Sequence, residues 1–250
     1  IGDVPKSVSN EAIISSSSRT STAEALRIVR TNLEFLLNEV PEGVAKTIFL
    51  TSTFPKEGKT FISVNLASTI ALSDKKVLLL GLDIRNPKLE EYLDVPKVGV
   101  TNYLASKDHK NSADFLTKVE GFSNFYVMPA GVIPPNPAEL LMGKKVGELF
   151  EKLKQEFDYI IVDTAPVSLV TDTLLISKYA DAFVYVTRAN YLDKRMLTLP
   201  EKLYQEKKLP NMSILINDTD STKGYGYGYG YGYGYGVEVE KKSFWKRFLK

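Results

Sequence analysis

Thr51-Ser52-Thr53-Phe54-Pro55-Lys56-Glu57-Gly58-Lys59-Thr60 follows an apolar run, Thr47–Thr51, and opens a helical pattern, Lys59–Leu72. A glycine-rich turn between a strand and a helix is a phosphate grip. Backbone N–H groups and the helix N-terminus face the anion, Lys59 adds a point charge, and the Thr60 hydroxyl can ligate Mg²⁺. The segment Phe54, Pro55, Lys56, Glu57, Gly58, Lys59, Thr60 and Phe61 is therefore the candidate nucleotide-binding loop. The match is imperfect, because Thr53 stands where the motif has its first glycine.

Short apolar runs alternate with helical patterns on both sides of this loop. Candidate strands are Thr47–Thr51, Val77–Leu82, Phe125–Met128, Tyr159–Val162, Ala182–Val186 and Ser213–Ile216. Most lack polar alternation, as strands covered on both faces should. Helices are expected at Lys59–Leu72, Lys144–Glu156 and Lys194–Gln205, and an earlier one from about Thr22 to Asn38, capped by Ser21 or Thr22. This order predicts an α/β fold of the P-loop NTPase type, a mostly parallel sheet flanked by helices, with a flexible C-terminal tail. Ligands of such sheets bind beyond the carboxyl ends of the strands. Asp83 and Asp163 each end a strand-like run there, placed to hold Mg²⁺ directly or through water. Arg85 reads equally as a phosphate contact or as the partner of an acid.

The organisation expected is a linker at 1–18, a P-loop domain at 19–223, a Gly/Tyr cluster at 224–236 and a basic-aromatic tail at 237–250. Within the cluster, Tyr225, Tyr227, Tyr229, Tyr231, Tyr233 and Tyr235 alternate with glycines. Glycine at every second position makes an ordered strand costly, so a mobile tail is expected. The end, Phe244-Trp245-Lys246-Arg247-Phe248-Leu249-Lys250, reads equally as a membrane-surface contact or a solvated tail.

The 250 residues hold 44% hydrophobic residues, a formal charge of +2 and no cysteine, which excludes disulfides and thiolate metal sites. The single histidine, His109, lies in a polar stretch and reads as a solvated loop residue. No apolar run reaches the roughly 18 residues that span a bilayer, and no secretory signal is evident. The chain begins at Ile1 rather than methionine, which leaves room for a natural protein that extends further.

In this order, Ser52–Thr60, Val77–Pro87, Ile160–Pro166, Pro135-Asn136-Pro137-Ala138-Glu139-Leu140-Leu141 and the tyrosine cluster resemble the bacterial tyrosine kinases of capsule and exopolysaccharide export. The resemblance runs from about Glu24 to Tyr235. It implies ATP with Mg²⁺, held by Thr60, Asp83 and Asp163, and Asn217 and Asp218 near the adenine. It implies catalysis by Lys59, Asp83 and Asp163, with Arg85 a further candidate, and the tail tyrosines of a neighbouring copy as phosphoacceptors. It also implies a ring-like homo-oligomer assembled partly through Glu24, Arg27 and Arg30, which look like the family's Glu-x-x-Arg-x-x-Arg motif. A transmembrane activator, fused or separate, and a cognate phosphotyrosine phosphatase are the other implied partners, and nucleic acid is not among them. The implied location is the cytoplasmic face of the bacterial inner membrane, and the implied role is control of polysaccharide polymerisation and export.

The sequence departs from that pattern once. Gly81 stands where the family commonly carries the first of two aspartates, a carboxylate credited with helping to deprotonate the acceptor. Septum-site and plasmid-partitioning ATPases share the framework but carry a lysine five residues before the loop lysine, where this chain has Phe54. Two other readings remain at this level. One is a membrane-associated partitioning-type ATPase without kinase activity; the other is a non-catalytic scaffold.

Overall fold

The computed structural model describes residues 1–7, 13–106 and 111–220. His109, the six tail tyrosines and the basic-aromatic end lie outside the described residues. Eight strands form one sheet: β1 (Gly2–Pro5), β2 (Lys46–Ser52), β3 (Val77–Leu82), β4 (Thr117–Lys118), β5 (Phe125–Met128), β6 (Tyr159–Thr164), β7 (Ala182–Arg188) and β8 (Met212–Thr219). Their spatial order is β1-β8-β7-β2-β6-β3-β5-β4. Every pairing is parallel except β4 with β5. The principal helices are α1 (Ser21–Leu36), α2 (Lys59–Ala71), α3 (Val100–Ala105), α4 (Pro137–Met142), α5 (Lys144–Glu156), α6 (Asp172–Ile176) and α7 (Thr198–Gln205).

The central strands are buried along their whole length, and their side chains divide by parity between two cores. Ile48, Leu50, Val77, Leu79 and Ile161 face the layer of α1 and α2 with Leu26, Val29, Ile62 and Leu66. Phe49, Leu78, Leu80, Ile160 and Val162 face the other layer with Val146, Leu149, Phe150 and Leu153. These last four, at i, i+3, i+4 and i+7, form the apolar stripe of α5. Phe49 packs on Phe183 and Phe150, with ring centroids 5.3 and 5.8 Å apart. α2 is buried on nearly every side, so its sequence shows no polar face.

Four expectations change. The stretch 1–18 is not simply a linker: Gly2–Pro5 adds in parallel to the edge strand β8, and Ile14 is buried, its N–H donating to Asn65 Oδ1 at 2.9 Å. A four-residue strand ending in proline carries no period of its own; the open edge of β8 makes it a strand. The expected helix over Lys194–Gln205 is a 3-10 turn, Lys194–Leu197, followed by α7. The cap of α1 is Thr20, one residue before the expected start, its hydroxyl accepting from the Ala23 N–H at 3.2 Å. The strands β2, β6, β7 and β8 run one to three residues beyond the expected limits at their ends, as hydrogen bonding continues past the apolar run.

Candidate nucleotide-binding site

The loop after β2 lies across the carboxyl ends of β7 and β8, and those strands hold its carbonyls away from the cradle. Tyr191 Oη donates to the Pro55 carbonyl at 3.1 Å, Arg188 Nη1 to Lys56 at 3.1 Å and Asn217 Nδ2 to Glu57 at 3.0 Å. Ser52 Oγ donates to the Phe54 carbonyl at 2.9 Å, and Ser168 Oγ to that of Thr53. Glu57 closes the turn by accepting the Phe54 N–H at 2.7 Å. Burial raises its pKa above the ordinary value, against the backbone N–H groups of Phe54, Arg188 and Thr53. Gly58 has φ 87°, and a Cβ there would lie 2.0 Å from Asn217 Nδ2, so only glycine lets the loop turn beneath that side chain. Below it, Thr53 Oγ1 and Tyr185 Oη share a hydrogen bond of 2.9 Å, and burial pushes the phenol up to about 12.

At the start of α2 the two strand-end carboxylates converge on the loop lysine. Lys59 Nζ donates to Asp163 Oδ1 at 2.8 Å and lies 3.6 Å from Asp83 Oδ2. Thr60 Oγ1 donates to Asp163 Oδ2 at 2.9 Å, and Ser63 Oγ to Asp163 Oδ1 at 3.1 Å. β3 and β6 are neighbours in register, Gly81 opposite Asp163, and the Asp83 N–H donates to the Asp163 carbonyl at 3.0 Å. Asp83 has a raised pKa, chiefly through burial; Lys59 opposes that rise and the charge of Asp163 adds to it.

Gly81 has a steric cause. A Cβ there would sit 2.9 Å from the Ala130 backbone nitrogen, 3.0 Å from Leu89 Cδ1 and 3.3 Å from the Pro129 carbonyl carbon. The backbone after β5 leaves no room for the family's first aspartate. Arg85, open between two readings, pairs with the buried Asp172, Nε donating at 2.7 Å and Nη2 at 3.0 Å. Asn217 and Asp218 both line the cleft; Asp218 has φ 61° and pairs with Arg188 at 2.9 Å. Phe61 lines it too, its ring 6.3 Å from that of Tyr92.

The cleft encloses about 780 Å³, within the range of small-molecule sites. Asp83 and the Thr60 hydroxyl line the cleft, and Asp163 lies buried behind them, bonded to Thr60. This oxygen set fits Mg²⁺, which takes oxygen ligands and keeps several waters. Among the described residues no cluster of three or more His, Cys, Asp or Glu forms a dedicated metal cage. The sequence missed Ser63, Asp172, Arg188, Tyr191, Lys6 and Tyr92 at this site. Ser63 was within reach, four residues after Lys59 on one helix; the others arrive from distant strands and loops with no local signal.

The Glu-x-x-Arg-x-x-Arg segment lies on α1, away from these groups. Arg27 pairs with Glu24 and donates to the Ser18 carbonyl at 3.0 Å; Arg30 donates to the Thr69 carbonyl at 3.2 Å, tying α1 to α2.

Residues 45–194 match the family described as an AAA domain. The tyrosine-protein kinase CpsD of Streptococcus agalactiae is 31% identical over 203 residues, 80% of this chain and 85% of that protein. The chain belongs to the bacterial tyrosine-kinase family. The kinase domain of the Escherichia coli tyrosine kinase ETK superposes with a TM-score of 0.78 at 28% identity, covering 92% of this chain and 94% of that one. The tyrosine-protein kinase wzc of Salmonella typhimurium is 36% identical over 166 residues, 66% of this chain. The chain spans only 22% of the length of that relative. Among the described residues of this family member, no helix is long and apolar enough to cross a membrane.

Proposed function

We propose that this chain is an ATP-dependent protein-tyrosine kinase that phosphorylates the tail tyrosines of a neighbouring copy, Tyr225 to Tyr235. The observation that carries the reading is the convergence of Lys59, Thr60, Asp83 and Asp163 at the mouth of α2. Thr60, Asp83 and Asp163 would hold Mg²⁺, which neutralises phosphate charge. Lys59 and backbone N–H groups at the start of α2 would bind phosphate oxygens. Asn217 and Asp218, at the β8 end of the cleft, would receive the adenine. The acceptor phenol oxygen bonds to the terminal phosphorus of ATP, the bond to the ADP oxygen breaks, and the phenol proton passes to Asp83. Asp83 takes this role because Gly81, opposite Asp163 in the sheet, supplies no second carboxylate on β3.

The family relation extends the proposal. Helix α1, with Glu24, Arg27 and Arg30, would form part of a ring-like homo-oligomer, and a transmembrane activator and a phosphotyrosine phosphatase would act on it. The setting would be the cytoplasmic face of a bacterial inner membrane, where phosphorylation regulates polysaccharide polymerisation and export.

Incubation with Mg·ATP, followed by intact mass and phosphosite mapping beside a Lys59→Met control, tests the reading. Multiple phosphates on Tyr225–Tyr235, reduced at least about 100-fold in the control, are expected. Nucleotide turnover without phosphotyrosine would instead favour a partitioning-type ATPase, and tail-dependent partner binding indifferent to Lys59 a scaffold.

A further inference from the structure

Lys56 holds a left-handed backbone conformation, φ 69°, in the middle of the phosphate loop. Glycine adopts that conformation without the clash between Cβ and the following carbonyl; a lysine carries the strain. Its carbonyl is fixed by Arg188, so the backbone cannot relax without losing that bond. The side chain is exposed and lines the cleft.

The other cations of the cleft explain what it could be for. Lys59 is committed to Asp163 and Asp83, Arg85 to Asp172, Lys88 to Glu91 and Arg188 to Asp218. Among the described residues that line the cleft, only Lys6 and Lys56 carry ammonium groups in no ion pair. Beneath the loop, one lysine faces two carboxylates, so the protein's own groups there are net negative until Mg²⁺ is bound. An anionic ligand needs a positive charge that is not already spent, on a stem long enough to bend toward it.

Resting on the kinase reading of this cleft, we propose that the Lys56 side chain is a further phosphate-contacting group, its ammonium closing over the nucleotide polyphosphate from the loop's outer side. The left-handed backbone is retained because a glycine there would forfeit that charge. The loop motif alone assigns Lys56 only a backbone place.

The test measures Mg·ATP binding and thermal midpoint for the wild type and for Lys56→Gly, Lys56→Gln and Lys56→Arg. Lys56→Gly is expected to keep or raise the midpoint, by up to about 3 °C, as the strain is relieved. It is also expected to weaken Mg·ATP binding about tenfold and to flatten its salt dependence. Lys56→Gln should weaken binding as much without raising the midpoint, and Lys56→Arg should bind within about twofold of the wild type. Binding by Lys56→Gly within about twofold of the wild type, with unchanged salt dependence, overturns the proposal. A wild type that binds Mg·ATP yet makes no phosphotyrosine would sink the kinase reading while leaving this test intact. A wild type that does not bind Mg·ATP overturns both.

Discussion

Asp83 illustrates how a residue suited to chemistry is unsuited to stability. Burial raises its folded-state pKa above the ordinary 3.8, so the folded chain keeps this proton at a pH where the unfolded chain has released it. Stability therefore falls as pH rises from about 3.8 through the raised value, and the full penalty stands at neutral pH. Asp83→Asn removes the charge while keeping the shape and is expected to raise the thermal midpoint at pH 7 by about 1–3 °C. That gain should vanish near pH 3.5, while phosphotyrosine formation drops at least about 100-fold. Melting curves across pH, beside phosphosite mapping, check both; a lower midpoint at pH 7 would show that the attraction of Lys59 outweighs burial. Asp163, by contrast, accepts three side-chain hydrogen bonds, from Lys59, Thr60 and Ser63. Its place at the end of an apolar run was legible in the sequence, and Ser63, one turn after Lys59 on the same helix, was within reach.

At the scale of elements, β3 and β6 matter because their register brings two strand ends level. The strand patterns Val77–Leu82 and Tyr159–Val162 were readable, because strands buried on both faces leave unbroken apolar runs. Their adjacency was not, because seven elements intervene in the chain between β3 and β6 and nothing local encodes which strands pair. A second adjacency, β3 beside β5, explains Gly81, which meets the backbone after β5 as well as the Leu89 side chain. Gly81→Asp, which would restore the family's pair of aspartates, is therefore expected to cost about 1–3 kcal/mol of stability by overpacking against Ala130. It should not raise the rate of tail phosphorylation. Denaturant midpoints and single-turnover rates test this, and a stable, faster variant would mean that the 129–131 backbone can yield.

For the whole molecule, the sheet order sets β8 beside β7 at one end of the cleft and β3 beside β6 at the other, with the loop between. The described chain ends just past β8, whose Asn217 and Asp218 line the cleft. Full phosphorylation of six tyrosines would add roughly −9 to −12 charge at neutral pH, more than the five cations near the C-terminus. Like charge on adjacent tails opposes assembly, so unphosphorylated protein is expected to be oligomeric and phosphorylated protein monomeric. Sedimentation of the two forms decides this; a single assembly state for both would refute it. Ile28 and Phe35, 60% and 72% exposed on α1, lie on the helix proposed for that interface.

By itself the sequence determined the layer architecture and the family, and it marked the candidate phosphate loop and its two carboxylates. Each of these is written locally, as an apolar run, a glycine followed by lysine and threonine, or an acid at the end of a strand. Only the tertiary structure decided that Gly2–Pro5 is an edge strand, that Arg85 serves Asp172, and that Gly81 is sterically enforced. It also decided that Tyr191, Arg188 and Asn217 hold the loop open. These follow from which strands lie side by side and which backbones touch, and contacts between residues more than 100 positions apart leave no periodic trace in the chain.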